Sequence, residues 1–216
     1  MKTVYSFFIK NFSKKKNHII YIDDKKYTYS QICTECDLLE KNLNKNNIDF
    51  VFYYSLDLYK FLIFYLVCSK LSITFVPLDI SLPFDDLINQ INLKKVSLIV
   101  SEKKKIKLLK SKIKSNFYDK DLNIFFGKKK SYVKKSDIFL LVFTSGSTGK
   151  PKPIALTQKN KIDRAISNAK LFKLKKNKKV LITTPLYHSL AIRLLNIGLI
   201  YGSEIHIFSK YNEQKI

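Results

Sequence analysis

Arginine is almost missing from this chain. Of its 40 basic residues only Arg164 and Arg193 are arginine, against 17 acidic ones, so the formal charge of +23 rests on lysines spread along the whole sequence. Dispersed lysine of this kind reads as a compositional bias and a solvated surface, whereas a nucleic-acid groove draws on arginine and interleaved aromatics. A basic nucleic-acid-binding protein is therefore the weakest of the readings below, and no specific nucleic-acid partner is expected. Cysteine is scarce too. Cys33, Cys36 and Cys68 are an odd number with no secretory features, which argues for free thiols in a reducing compartment. Cys33-Thr-Glu-Cys36 has C-x-x-C spacing, but His18, His188 and His206 do not complete a zinc set, so no metal site is assigned. Long apolar runs are also lacking. The richest, 61–68, is far below spanning length, and the N-terminus has no signal-peptide cleavage pattern. No membrane span is expected, and a cytoplasmic location is. What remains is 216 residues with 46% hydrophobic and 13% aromatic content, enough for one domain or two small ones.

Along the chain, apolar spacing predicts a short amphipathic helix over 1–12 with Val4, Phe7, Phe8 and Phe12 on one face. A hairpin follows, with strands 18–22 and 27–29 around a turn at 23–26. Ser30 then reads as the cap of a helix over 31–43 that carries Ile32, Leu38, Leu39 and Leu43. Next come a strand at 48–54, a helix from Ser55 to about 70, a strand at 73–76 followed by Pro77-Leu78-Asp79, a helix from Pro83 to about 93, and a strand at 96–100. The lysine-rich stretch 102–135 has little periodicity and reads as a variable linker. After it come strands at 138–143 and 154–157, a helix over 159–172 with Ile162, Ala165, Ile166, Ala169 and Phe172 on one face, and a buried strand at 180–184. A buried helix at 190–201 and a last strand at 204–208 follow. This alternation predicts an α/β fold of doubly wound, mostly parallel sheets. The expected division is a first α/β subdomain at 1–101, the linker at 102–135, and the start of a second α/β subdomain at 136–216.

The most specific stretch begins where the strand 138–143 ends. Thr144, Ser145, Ser147 and Thr148 supply four hydroxyls, Gly146 and Gly149 let successive N–H groups point into one concavity, and Lys150 and Lys152 add two charges. A lysine about 4 Å from a phosphate oxygen gains roughly 4 kcal/mol at an effective dielectric near 20. The composition suits a phosphate. It is not a Walker A loop, because Thr144 stands where that pattern needs glycine and Pro151 follows the Gly-Lys pair. A dinucleotide fingerprint is excluded by the glycine spacing.

The run T-S-G-S-T-G-K-P-K at 144–152 closely resembles the phosphate-loop signature of the AMP-dependent synthetases and ligases, the adenylate-forming superfamily of acyl-CoA synthetases and peptide-synthetase adenylation domains. The order Y-T-Y-S, strand, long apolar helix, then F-V-P-L-D resembles the opening of the same enzymes, so the likeness runs from about 19 to 208. The resemblance implies the incomplete N-terminal large domain of an adenylate-forming enzyme. It also implies ATP as ligand, with Thr144, Ser145, Gly146, Ser147, Thr148, Gly149, Lys150 and Lys152 around its phosphates and Mg accompanying it. Thr184-Pro185-Leu186-Tyr187-His188-Ser189 stands where the family lines its carboxylate-substrate pocket. A histidine after an aromatic there is typical of acyl- and aryl-activating members, while amino-acid-activating members usually carry Asp at the position of His188. Tyr187 and His188 are therefore the expected substrate contacts, and the alternative for His188 is a helix-start hydrogen bond. Two departures stand out: Pro153 where the family most often has glycine, and Gln158 in place of a common histidine.

In the family the Mg-binding Glu, the ribose-binding Asp and the catalytic Lys lie further along than Ile216, so no catalytic residue is assigned. The expectation is an N-terminal fragment of an acyl-adenylate-forming ligase, with a CoA or carrier-protein thiol as acceptor and a separate downstream chain as a possible partner. Its last strand, 204–208, is expected to leave the second sheet with an unpaired edge. The alternatives are a stand-alone nucleotide- or anion-binding module, an amino-acid adenylation fragment, and a basic nucleic-acid-binding protein.

Overall fold

The computed structural model describes residues 2–13, 19–44, 48–81, 97–101, 117–119, 124–126, 137–144, 152–174 and 178–209. The helix expected from Pro83 lies outside them. Two sheets organise the described residues. One has seven strands in the order β6 (Phe117–Asp119), β7 (Ile124–Phe126), β5 (Ser97–Ser101), β3 (Phe50–Tyr54), β4 (Thr74–Pro77), β8 (Ile138–Thr144) and β9 (Lys152–Thr157). Its centre, β5-β3-β4-β8, is parallel; on one side β7 pairs antiparallel with β5 and β6 antiparallel with β7, and on the other β9 pairs antiparallel with β8. The second sheet has the order β10 (Lys179–Ile182), β11 (Glu204–Ile207), β1 (Ile19–Ile22) and β2 (Lys25–Thr28), parallel except for the β1–β2 hairpin. The expected α/β class with mostly parallel sheets is therefore observed.

Helices fill the space between the sheets. They are α1 (Val4–Phe12), α2 (Tyr29–Asn44), α3 (Leu58–Leu71), α4 (Gln158–Leu171) and α5 (Ser189–Tyr201). α3 packs on β3 and β4, α4 on β8 and β9, and α5 on β10 and β11, with α1 touching α3, α4 and α5. α3 is buried continuously from Phe61 to Ser69, as a helix with apolar residues on every side must be. Its Tyr65 hydroxyl donates to Asn196 Oδ1 of α5 at 2.8 Å. At Gly198 an added Cβ would stand 2.6 Å from Ile205 Cγ1, so α5 lies on β11 at a distance only glycine allows.

Local chemistry sets the boundaries, and several differ from those read in the sequence. The hairpin turn is only Asp23-Asp24, with Asp23 at φ 51, and Lys25 and Lys26 belong to β2. α2 is capped by Thr28, not Ser30: Thr28 Oγ1 accepts from Gln31 N–H at 3.3 Å and the Gln31 side chain accepts from Thr28 N–H at 2.8 Å, a reciprocal capping box. Its buried face is Ile32, Cys36, Leu39 and Leu43, and Leu38 is exposed. Asp57 rather than Ser55 caps α3, accepting from Lys60 N–H at 2.9 Å. Phe172 stands past the end of α4 and is exposed. β10 alternates between exposed and buried, as an edge strand does, rather than being buried throughout. β11 is paired on both sides, so the outer strands of this sheet are β10 and β2.

The stretch 102–135 contributes β6 and β7 to the larger sheet, the smaller one joins strands from 19–28 and 179–207, and β8 and β9 pair onto β4.

Candidate functional site

In an open parallel sheet, ligands sit beyond the carboxyl ends of the strands, where helix starts and loops converge. Both sheets present such an end. Thr144 closes β8 and is the ladder partner of Lys152, which opens β9. The two flanks of the hydroxyl- and glycine-rich segment are thus held opposite each other by the sheet. Ser145, Gly146, Ser147, Thr148, Gly149 and Lys150 lie outside the described residues. β4 and β8 are parallel neighbours joined at Phe75–Leu140, so the V-P-L-D segment and Thr144 both follow carboxyl-ward on the same side of the sheet. Pro153 falls in β9, the outermost strand of its sheet. An edge strand tolerates the missing N–H, because half its backbone groups have no ladder partner.

Gln158 has a structural task. Nearly buried at the start of α4, it accepts from Val4 N–H at 3.2 Å and from the Ser69 hydroxyl at 3.1 Å, and it donates to the Ser69 carbonyl at 3.0 Å. Ser69 Oγ also accepts from Tyr5 N–H at 3.0 Å. One amide therefore ties the start of α1, the end of α3 and the start of α4, and thereby fixes the strand β9 that leads into α4.

A cleft of about 80 Å³ lies at the carboxyl ends of β3, β4, β10 and β11. Its walls are mostly apolar, with Tyr53, Phe61 and Leu78 from the larger sheet and its helix facing Leu186, Tyr187 and Phe208 from the smaller. Leu78 N–H donates to Tyr53 carbonyl at 2.9 Å, and Phe208 N–H to Ile182 carbonyl at 2.9 Å, so both walls are anchored by backbone bonds. Tyr187, an expected substrate contact, lines this cleft beside Asp79, a residue to which the sequence reading gave no role. Tyr187 faces Asp79 through a side-chain hydrogen bond, and burial first, then the Asp79 charge, raises the Tyr187 phenol above its ordinary pKa. Asp79 is oriented by Ser81, whose N–H and hydroxyl donate to Oδ1 at 2.8 and 2.7 Å. The signal available in the sequence was the Asp ending V-P-L-D, directly past a strand terminus.

His188 is the N-cap of α5, exposed, and its side chain makes no capping hydrogen bond, so the helix-start role is not the one it plays. Its ring lies 4.4 Å from that of Tyr187 at 55°. Thr184, at the head of the same segment, has a buried Oγ1 with no partner among the described residues. The structure thus brings Tyr187 to the cleft wall and leaves His188 at the surface beside it. Among the described residues no group of three or more His, Cys, Asp or Glu could hold a metal ion.

The chain matches the family model for AMP-binding enzymes over residues 8–216. It is 36% identical over 87 residues to a 2-succinylbenzoate–CoA ligase of Oceanobacillus iheyensis, an alignment covering 40% of this chain and 18% of that ligase. Among solved structures it resembles the o-succinylbenzoate coenzyme A synthetase of Bacillus subtilis in complex with ATP and magnesium ion, with a TM-score of 0.79, 18% identity and coverage of 97% of this chain and 58% of that one. The inhibitor-bound N-terminal domain of FACL13 from Mycobacterium tuberculosis gives a TM-score of 0.80 at 15% identity, covering 100% of this chain and 59% of that domain chain. The chain therefore spans well under two thirds of the length of these relatives.

Proposed function

Since the chain belongs to the family of AMP-binding enzymes, we propose that it is the N-terminal, ligand-holding portion of an ATP-dependent ligase that activates a carboxylic acid as its acyl-adenylate. The observation that carries this reading is the pairing of Thr144 with Lys152 at the carboxyl edge that also holds the apolar cleft. In this reading 144–152 grips the ATP phosphates through backbone N–H groups, hydroxyls and the two lysines. The acid's apolar part enters the cleft against Tyr53, Phe61 and Phe208. Its carboxylate must avoid the side chain of Asp79 beside Tyr187, and so lies toward His188 and the phosphates. His188, exposed and uncommitted to the helix cap, is placed to donate to that carboxylate. A CoA-type thiol as acceptor, magnesium accompanying the nucleotide and a cytoplasmic location belong to the same reading. Magnesium supplies charge neutralisation at the phosphates when bound, and no step is assigned to it here.

ATP titration of the full chain against Lys150→Ala and Lys152→Ala tests the reading. Each substitution is expected to weaken ATP binding about tenfold, or ~1.4 kcal/mol, the net left from a larger Coulomb gain after desolvation. Affinity unchanged in both variants would refute it.

A further inference from the structure

Away from the cleft, one place among the described residues gathers cations with no anion facing them. Lys161 and Arg164 lie on α4, and Arg193 on α5, two helices that pack together. Lys161 is only 4% exposed, and no described residue offers it a hydrogen bond or an ion pair. Arg193 Nε and Asn168 Nδ2 are buried without a hydrogen-bond partner among the described residues. Positions 161, 164 and 168 share one helix face by their spacing. Lys161 is pushed down to about 8 by burial and then by the positive charges of Arg164 and Arg193, and Arg193 is lowered by burial and then by Arg164. In a chain whose basic residues are otherwise all lysine, both arginines lie on these two packed helices.

We propose that the Lys161–Arg164–Arg193 cluster between α4 and α5 is an anion site that takes a phosphate group. A guanidinium presents its donors as a planar fork that matches two oxygens of an oxyanion, which an ammonium cannot do. The Asn168 amide adds a neutral donor on the same face. A single carboxylate would leave two of the three charges unmatched, whereas a phosphate dianion leaves one. Arg164 is exposed and reachable from solvent, while Lys161 is buried. The proposal does not depend on the nucleotide reading of 144–152, and it concerns different residues.

Inorganic phosphate is titrated calorimetrically into the full chain in chloride buffer of fixed ionic strength. Binding is expected, at least tenfold weaker in Arg164→Ala and in Arg193→Met and unchanged in Lys10→Ala, which removes one exposed charge elsewhere. Arg164 is exposed, so its variant keeps the test open if Arg193→Met fails to fold. AMP as a second probe separates the sources: competition with phosphate identifies a nucleotide's phosphate as the ligand, and independence identifies the free ion. No phosphate binding by the native chain, or equal binding by Arg164→Ala, overturns the proposal. Phosphate binding lost in a Lys150→Ala/Lys152→Ala variant but retained in Arg164→Ala would place the ion on the loop, overturning this site while leaving the proposed function standing.

Discussion

Replacing Lys161 by methionine should stabilise this protein near neutral pH. The lysine is buried, and its pKa is pushed from 10.5 down to about 8, mainly by burial and further by Arg164 and Arg193. A folded-state pKa below the unfolded one means that the native state resists protonation. Below pH 8 both states carry the charge, and the native state bears the whole penalty. Between about 8 and 10.5 the unfolded chain is protonated and the native lysine is not, so stability rises with pH. Above that window the penalty is gone. Each pKa unit corresponds to about 1.4 kcal/mol, which puts the penalty at about 3 kcal/mol. Methionine keeps the unbranched stem and loses the charge, so most of that should be recovered at pH 7. For a chain of this size it corresponds to a rise in Tm of roughly 6–12 °C. The assay is thermal melting of the native chain and Lys161→Met from pH 6 to 10.5 in phosphate-free buffer. The gap should be constant below pH 8 and close toward pH 10.5. A gap independent of pH, or a lower Tm for the variant at pH 7, would refute the reasoning.

Gln158→Leu should cost about 1–3 kcal/mol in urea unfolding, because Val4 N–H and the Ser69 hydroxyl lose a buried acceptor; an unchanged urea midpoint would show that the amide ties nothing together. His188→Ala should leave stability within about 0.5 kcal/mol, since the side chain is exposed and makes no capping bond. If the proposed function holds, the same variant should weaken binding of the carboxylic acid substrate, and a marked loss of stability instead would assign His188 to the fold.

How much of this could be read in the sequence depended on how local the cause was. Parallel strands and core helices were legible because runs such as Phe50–Tyr54 and the apolar face of α3 carry their burial in their own residues. The start of α2 was misplaced because Ser30 looks like a cap in isolation, whereas Thr28 wins through a reciprocal bond with Gln31. β6 and β7 were hidden. Three-residue strands amid lysines have no period of their own, and they exist by pairing onto β5, a partner distant in sequence. At the site, residue types alone single out 144–152, of which Thr144 and Lys152 fall among the described residues, and the motif that holds Tyr187 marks a segment that reaches the cleft wall. The Tyr187–Asp79 contact was not legible, because it joins the ends of strands in different sheets. Nor was the burial of Lys161, which in a lysine-rich sequence is indistinguishable from its solvated neighbours until α5 is packed against it.

That buried lysine bears on the loop as well as on its own site. α4 starts at the residue after β9 ends, and β9 starts at the lysine paired with Thr144. An anion at Lys161 would relieve the largest electrostatic penalty identified in α4, and any ligand that binds only the native state stabilises it in proportion to the logarithm of its occupancy. The element stabilised is the one that Gln158 locks to α1 and α3 and that directly follows β9, the strand opened by Lys152. Phosphate should therefore narrow the stability gap between the native chain and Lys161→Met, because it gains more where all three cations remain. The same two-state logic makes the unpaired cations of α4 and α5 intelligible: they weaken the empty protein in a way that a bound oxyanion reverses.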